Sequence, residues 1–152
     1  MNTRQLKYVT IWLYSGLLLV ALMVIIGGIT RLTQSGLSMV DWNLISGAIP
    51  PMNEAEWLET FAKYQQFPEY QKLNKGMSLE EFKSIFFWEY LHRLIGRIIG
   101  LVFIIPFAIF WLKKYFSPIQ KKQLLVLLVL GGFQGFLGWF MVKSGLVDRP
   151  HV

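Results

Sequence analysis

The chain has 152 residues, of which 54% are hydrophobic, and its mean hydropathy is +0.44. This composition is too apolar for an ordinary soluble domain of this length. The formal net charge is +6, but the basic residues lie at the ends of apolar runs, which argues against a nucleic-acid partner. The chain has no cysteine, so disulfides, thiolate metal sites and thioether-linked haem are excluded.

Three apolar runs predict three transmembrane helices, at about residues 8–29, 94–112 and 124–142. A helix of roughly 20 apolar residues, rising 1.5 Å per residue, spans the hydrocarbon core of a bilayer. The three runs contain one charged residue, Arg97, so three buried helices of a soluble bundle are the weaker alternative. The first run is too long for a cleaved signal peptide and has no small-residue cleavage site, so we expect a retained helix. Only seven residues precede it, without an Arg- and Ser-rich transit sequence, which favours a bacterial protein over an imported mitochondrial one.

The loops between these helices differ in charge. The loop at 113–123 holds four lysines and no acid, whereas the loop at 31–83 holds seven of the nine acidic residues. Positively charged loops remain in the cytoplasm. We therefore expect a multi-pass protein of the bacterial inner membrane, with its N-terminus and loop 113–123 in the cytoplasm and loop 31–83 outside.

The long outer loop has the pattern of a folded segment. "NEAEWLETFAKY" predicts a short amphipathic helix with Asn53 as its N-cap, which either lies on the membrane surface or covers a cavity between the spans. Ser78 and Glu81 predict a capping box that begins the next helix, which should continue into the second span. One face of the short helix carries three aromatic residues: Trp57, Phe61 and Tyr64.

The stretch "WEYLHRLIGR" places costly polar groups at the mouth of the second span: Glu89, His92, Arg93 and Arg97. One interpretation is a salt-bridged helix end, in which Glu89 pairs with Arg93, Arg97 reaches outward and His92 fills space. The other is a haem site, in which the imidazole of His92 binds iron and the arginines pair with propionates. Gly96 and Gly100 would then let a flat ring approach the helix.

The third span holds glycines whose role is open: Gly131, Gly135 and Gly138. They indicate either tight helix packing, which is the commoner outcome, or room for a ring. Gln134 is the only polar side chain in this span, and an interhelical hydrogen bond is the more frequent role for such a residue. Three methionines are expected to pack rather than to bind iron: Met23, Met39 and Met141.

Three segments together resemble the haem A synthase family, in its cysteine-free subgroup with a long first outer loop. They are "GGITRLTQSGLSMVDWN" with the residues that follow it, "FWEYLHRLIGR", and "GGFQGFLGWFMVKSGLVDRPHV". The resemblance implies an all-α integral membrane fold of eight helices, built as two four-helix bundles. It also implies an oxidoreductase that oxidises the C8 methyl group of haem O to a formyl group, for cytochrome oxidase assembly.

The resemblance assigns roles to residues of this chain. It implies that His92 is an axial ligand of haem iron and that Glu89 is catalytic, as an acid, a base or an orienting group. Arg31, Arg93 and Arg97 are expected to bind the propionates. Haem O is the implied substrate, haem b the implied cofactor of a second bundle, and membrane lipid, haem O synthase and cytochrome oxidase assembly factors the implied partners.

The match covers three helices, so residues 1–152 correspond to an N-terminal half-bundle in which the fourth helix and the second bundle are absent. We therefore expect a chain that is incomplete and inactive alone. His151, close to the end, is not expected to be an axial ligand. The alternative function is a non-catalytic membrane subunit that binds haem or hands it over.

Overall fold

The structure, a computed structural model, describes residues 1–41 and 49–145. These residues form an all-helical fold without strands, as the sequence predicts. The helices are α1 (Thr3–Leu32), α2 (Glu54–Tyr64), α3 (Pro68–Lys72), α4 (Leu79–Leu112) and α5 (Pro118–Gly145). Three of them, α1, α4 and α5, are long and apolar enough to cross a membrane, which confirms the three predicted spans.

Helix α4 is longer than a span requires. Its 34 residues extend about 51 Å at 1.5 Å each, against roughly 30 Å for the hydrocarbon core. The helix begins at the predicted capping box, where Ser78 N–H donates to Glu81 Oε2 (2.7 Å) and Glu81 N–H donates to Ser78 Oγ (3.3 Å). The prediction that this helix begins before the second span and continues into it is confirmed.

The chain divides into two compact units. The first unit comprises Met1–Ile25 with Ile95–Phe136, and the second comprises Ile26–Leu94 with Leu137–Val152. The first unit contains most of the apolar length of the three long helices. The second unit contains the outer-loop helices and the polar start of α4, so the candidate site is described within it.

The core of the first unit includes a hydrogen bond at a proline. Pro106 lies inside α4 and has no N–H, so the carbonyl of Val102, four residues earlier, lacks its usual helical donor. The indole N–H of Trp12, on α1, donates to that carbonyl at 2.7 Å. A backbone carbonyl without a donor is costly in an apolar environment, so Trp12 stabilises the proline-containing segment of α4.

Helix α4 ends in a left-handed residue. Lys114 has φ +57°, Tyr115 N–H donates to Phe110 O (3.0 Å), and Lys114 N–H donates to Trp111 O (3.0 Å). These two bonds form a Schellman motif. The rings of Tyr115 and Phe110 stack with centroids 5.3 Å apart, which supplies the apolar contact that accompanies this motif.

The core of the second unit joins α2 to the start of α4. Asn53 caps α2 as predicted, because its side-chain oxygen accepts from Glu56 N–H at 2.9 Å. The rings of Phe61 and Tyr64 lie 5.0 Å and 5.1 Å from that of Phe82 on α4. The aromatic face of α2 therefore lies against the start of α4. A place on the membrane surface and a place over a cavity between the spans both stay predictions for α2.

The glycines of α5 face open space among the described residues. A Cβ atom added to any of the three (Gly131, Gly135 and Gly138) would meet no atom within 4 Å there, so tight packing and room for a ring both stay predictions. Gln134 is exposed. Met39 is buried in the second unit's core, and the Cε atom of Met23 lies 3.4 Å from the Cβ position of Gly96, so both methionines pack as predicted.

Candidate functional site

The site begins at the end of α1, where the chain reverses direction. Gln34 has φ +52°, Ser35 N–H donates to Thr30 O (2.9 Å), and Gln34 N–H donates to Arg31 O (3.3 Å). This is again a Schellman motif, here with a non-glycine residue in the left-handed position. The motif directs residues 35–41 back towards α4.

Glu89 is the buried centre of this arrangement, with 3% of its surface exposed. Its Oε2 atom lies 2.7 Å from the hydroxyl of Ser38 and accepts from the N–H of Met39, also at 2.7 Å. Its Oε1 atom accepts from the guanidinium of Arg93, one turn later on α4. Three donors therefore face one carboxyl group, which is the pattern that an ionised carboxylate requires.

Arg93 connects the carboxylate to the backbone of the segment after α1. Its Nη2 donates to Met39 O (2.8 Å), and its Nη1 donates to Asp41 O (3.1 Å). The Arg93 and Glu89 side chains are 8% and 4% exposed. The ion pair predicted from the i, i+4 spacing is confirmed, but it is buried, so removing either partner would leave an uncompensated charge.

His92 lies half-buried on the same helix turn and contacts α1 at a glycine. A Cβ atom on Gly27 would lie 3.2 Å from His92 Nε2 and 3.6 Å from its Cδ2. The carbonyl of Gly27 is occupied by the hydroxyl of Thr30, which donates to it at 2.8 Å. Gly27 thus leaves room for the edge of the imidazole that carries Nε2.

These residues fit a haem better than a bare metal ion. In the described part of the chain, His, Asp and Glu side chains do not gather in groups of three that would hold an ion. A porphyrin brings four nitrogen ligands of its own and takes axial ligands from the protein, among which imidazole is common. His92 is the only histidine within residues 1–41 and 49–145, and the edge of its ring that carries Nε2 packs against α1 at Gly27.

The remaining predicted residues are less closely associated with this cluster. Arg31 is exposed in the last turn of α1. Arg97 is partly buried on α4, in the first unit. His151 lies outside the described residues. The structure therefore brings Glu89 and Arg93 into direct contact, with His92 adjacent on the same helix turn.

Sequence reasoning missed a second buried carboxyl group. Glu69, in α3, is 4% exposed, and its Oε2 atom has no hydrogen-bond partner among the described residues. Burial, together with the charge of Glu89, raises the pKa of Glu69 to about 8, although a hydrogen bond with Tyr64 opposes the rise. Burial also raises the pKa of the Tyr64 phenol. No spacing or motif in the sequence distinguishes Glu69 from the other acidic residues of the outer loop.

Comparison with known proteins gives the chain a family context. The family model described as cytochrome oxidase assembly protein (COX15-CtaA) matches residues 10–152. The heme A synthase of Flavobacterium psychrophilum is 59% identical over 148 residues, which are 96% of this chain and 44% of that protein. No solved structure matches the chain.

Two further relatives have the same name. The heme A synthase of Flavobacterium johnsoniae is 54% identical over 98% of this chain and 44% of its own length. That of Rhodospirillum centenum is 56% identical over 96% of this chain and 39% of its own length. The chain thus spans less than half the length of the curated relatives that it matches.

Proposed function

Because the chain belongs to the cytochrome oxidase assembly protein family, we propose that it acts in haem A biosynthesis, as part of a haem A synthase. The proposed reaction oxidises the C8 methyl group of haem O to a formyl group. The names of the relatives support this proposal, and so does the match over almost the whole chain. A haem b outside residues 1–152 is the proposed electron acceptor, and haem O synthase and cytochrome oxidase assembly factors are the proposed partners.

One observation supports the proposal most strongly: a half-buried imidazole lies one helix turn from a buried carboxylate–guanidinium pair, on a helix that enters the membrane. Polar groups at this position are costly and are retained where they act on a ligand. The pair alone would explain a stable helix end. The pair does not require the adjacent imidazole, for which an iron ligand is the proposed role.

In the proposed site, each residue has a separate task. When bound, the haem supplies an iron centre and the methyl group that is oxidised. His92 holds the group through its neutral imidazole, and Arg31, Arg93 and Arg97 are the proposed partners of its carboxylate groups. Glu89 accepts or returns a proton at a carboxylate that Ser38, Met39 and Arg93 hold in place.

The test places three substitutions in the full-length enzyme in membranes, with the extracted haems separated by chromatography. We expect His92→Ala to lose bound haem and oxidised product together, because the iron ligand is gone. We expect Glu89→Gln to retain haem and to lose the formyl product, because an amide cannot take up a proton. Phe87→Ala, an exposed position on the same helix, is the matched control. Normal product from both site variants would refute the proposal.

The three spans and the bacterial relatives make the chain a multi-pass bacterial membrane protein. We propose the orientation in which its N-terminus is cytoplasmic, on the basis of the lysine-rich loop at 113–123. Cysteines introduced at the exposed positions Lys75 and Ser117 report on the two sides. In intact spheroplasts an impermeant thiol reagent should label the first and not the second, and the opposite pattern would reverse the orientation.

A further inference from the structure

The first unit has an open groove between α1 and α4, with a volume of about 500 Å³. The groove runs from Tyr8 to Ser15 on α1 and from Leu101 to Phe110 on α4, which is about 10–14 Å at 1.5 Å per residue. A helix about 10 Å across would need roughly 800–1,100 Å³ over the same length. The groove therefore fits an apolar chain that is thinner than a helix.

The polar atoms in the wall of the groove already have partners. The indole N–H of Trp12 donates to Val102 O at 2.7 Å, and the hydroxyl of Ser15 donates to Trp12 O at 2.7 Å. At one end, the phenol oxygen of Tyr8 accepts from Nε of Arg4 at 3.1 Å. Beyond Tyr8 the wall offers mainly dispersion contacts, which are what a hydrocarbon chain makes.

Basic side chains lie at the Tyr8 end of the groove. Arg4 and Lys7 are exposed in the first two turns of α1, and the guanidinium carbon of Arg4 lies 5.8 Å from the centre of the Tyr8 ring. The segment after α4 reaches the same end, because the Phe116 ring lies 6.2 Å from that of Trp12, one turn beyond Tyr8. That segment and the start of α5 carry four more basic residues: Lys113, Lys114, Lys121 and Lys122.

No acid within the first unit balances this charge. Its two segments, Met1–Ile25 and Ile95–Phe136, contain basic residues but no Asp or Glu. All nine acidic residues of the chain belong to the second unit. Basic residues beside a groove between membrane helices are the features that bind an anionic lipid head group.

We propose that this groove binds one anionic phospholipid. An acyl chain lies along α1 and α4, and the phosphate lies at Arg4, Lys7 and the lysines of loop 113–123. The guanidinium of Arg4 can donate to two phosphate oxygens at once, whereas the lysines act as point charges. The site is separate from the Glu89–His92 cluster, and this inference does not depend on haem oxidation.

The test uses the full-length enzyme, purified in detergent and given equal amounts of phosphatidylglycerol and phosphatidylcholine with the same acyl chains. Native mass spectrometry counts the lipids that stay bound. We expect the wild type to retain one phosphatidylglycerol in preference to phosphatidylcholine. Arg4→Gln should lower that preference roughly fivefold, as for one basic residue near an anionic lipid. Lys75→Gln, an exposed position of the second unit, is the matched control and should not change it.

A second pair of variants tests the groove itself. Ile105→Trp fills the groove and leaves every basic residue in place. Leu130→Trp makes a similar change at an exposed position of α5 that does not line the groove. We expect the first variant to lose the retained phosphatidylglycerol and the second to keep it, with circular dichroism showing equal helix content in both.

Four results would overturn the inference. They are equal retention of the two lipids by the wild type, an unchanged preference in Arg4→Gln, retention that survives Ile105→Trp, and a wild type that retains neither lipid. The third would mean that surface charge alone holds the head group. The fourth would mean that another helix or a second copy of the protein covers the groove. The proposed function is measured by haem oxidation and stands or falls separately.

Discussion

The hydrogen bonds to Glu89 predict a graded loss of stability on substitution. Ser38→Ala removes one of three donors and leaves the carboxylate bound by Met39 N–H and Arg93. Glu89→Gln can place its carbonyl oxygen where Oε2 lies and keep two donors, but its amide N–H₂ then faces the guanidinium. Glu89→Leu removes all three bonds and leaves the guanidinium of Arg93 without its carboxylate.

The magnitudes follow from the bonds that are lost. Ser38→Ala should lower the free energy of unfolding by about 1.5 kcal/mol, at the low end for a hydrogen bond to a charged group, because Met39 N–H still donates to the same oxygen. Glu89→Gln loses one bond to a charged donor, and we expect about 1.5–3 kcal/mol. Glu89→Leu breaks a buried ion pair, and we expect about 3–5 kcal/mol. Arg93 keeps its bonds to Met39 O and Asp41 O in all three variants, which limits each loss.

The assay is equilibrium unfolding of each purified variant in mixed micelles, with increasing SDS and helix content followed by circular dichroism. Hydrogen exchange at the Met39 amide gives a local measure, because that N–H donates to the carboxylate. Glu54→Gln, an exposed acid in the first turn of α2, controls for the general effect of removing a charge. Equal stability of Glu89→Gln and Glu89→Leu, or a Met39 amide that exchanges as fast in wild type as in Glu89→Leu, would refute the reasoning.

Three other substitutions give separate tests. Gly27→Ala should force the His92 ring to move by a few tenths of an ångström and should weaken haem binding in an optical titration. Gly28→Ala is the control, because a Cβ atom there would meet no atom within 4 Å. Equal haem binding by the two variants would contradict the contact between Gly27 and His92. Because the folded-state pKa of Glu69 is raised to about 8, its contribution to stability is present at acid pH and is lost as pH rises from about 4.5 to about 8. The free energy of unfolding should therefore fall by up to about 1.4 kcal/mol per pH unit there, and a Glu69→Gln variant with an unchanged slope would contradict this. Lys114→Gly should raise thermal stability by roughly 0.5–1 kcal/mol, because glycine relieves the left-handed φ of +57°, and a lower melting temperature would disprove this.

The sequence predicted the features that depend on local spacing. The three spans follow from runs of apolar residues, and the caps at Asn53 and Ser78 follow from side chains that reach their own helix. The Glu89–Arg93 pair follows from the i, i+4 spacing on α4. Each of these needs information from at most one helix, which is why periodicity and capping rules were sufficient.

The features that the sequence did not predict depend on contacts between distant segments. Ser38 and Met39 are 51 and 50 residues from Glu89, and nothing in the spacing of "SGLSM" indicates that it supplies donors to a carboxylate. Glu69 resembles any other loop acid until α2 and α4 are packed around it. The α5 glycines suggested close helix contact, but glycine only permits a close approach, and a neighbouring helix must still fill the space.

The hydrogen bond from the indole of Trp12 to the carbonyl of Val102 makes the assembly of α1 depend on that of α4. During synthesis α1 is made before α4. The indole N–H of Trp12 and the Val102 carbonyl, which lacks a donor because of Pro106, therefore stay unpaired until the two helices meet. Both groups are satisfied only once α1 has packed against α4, and neither helix can provide the bond alone. We expect a relative that replaces the proline not to need the indole, because the carbonyl of residue 102 then regains its helical donor, so the two positions should change together.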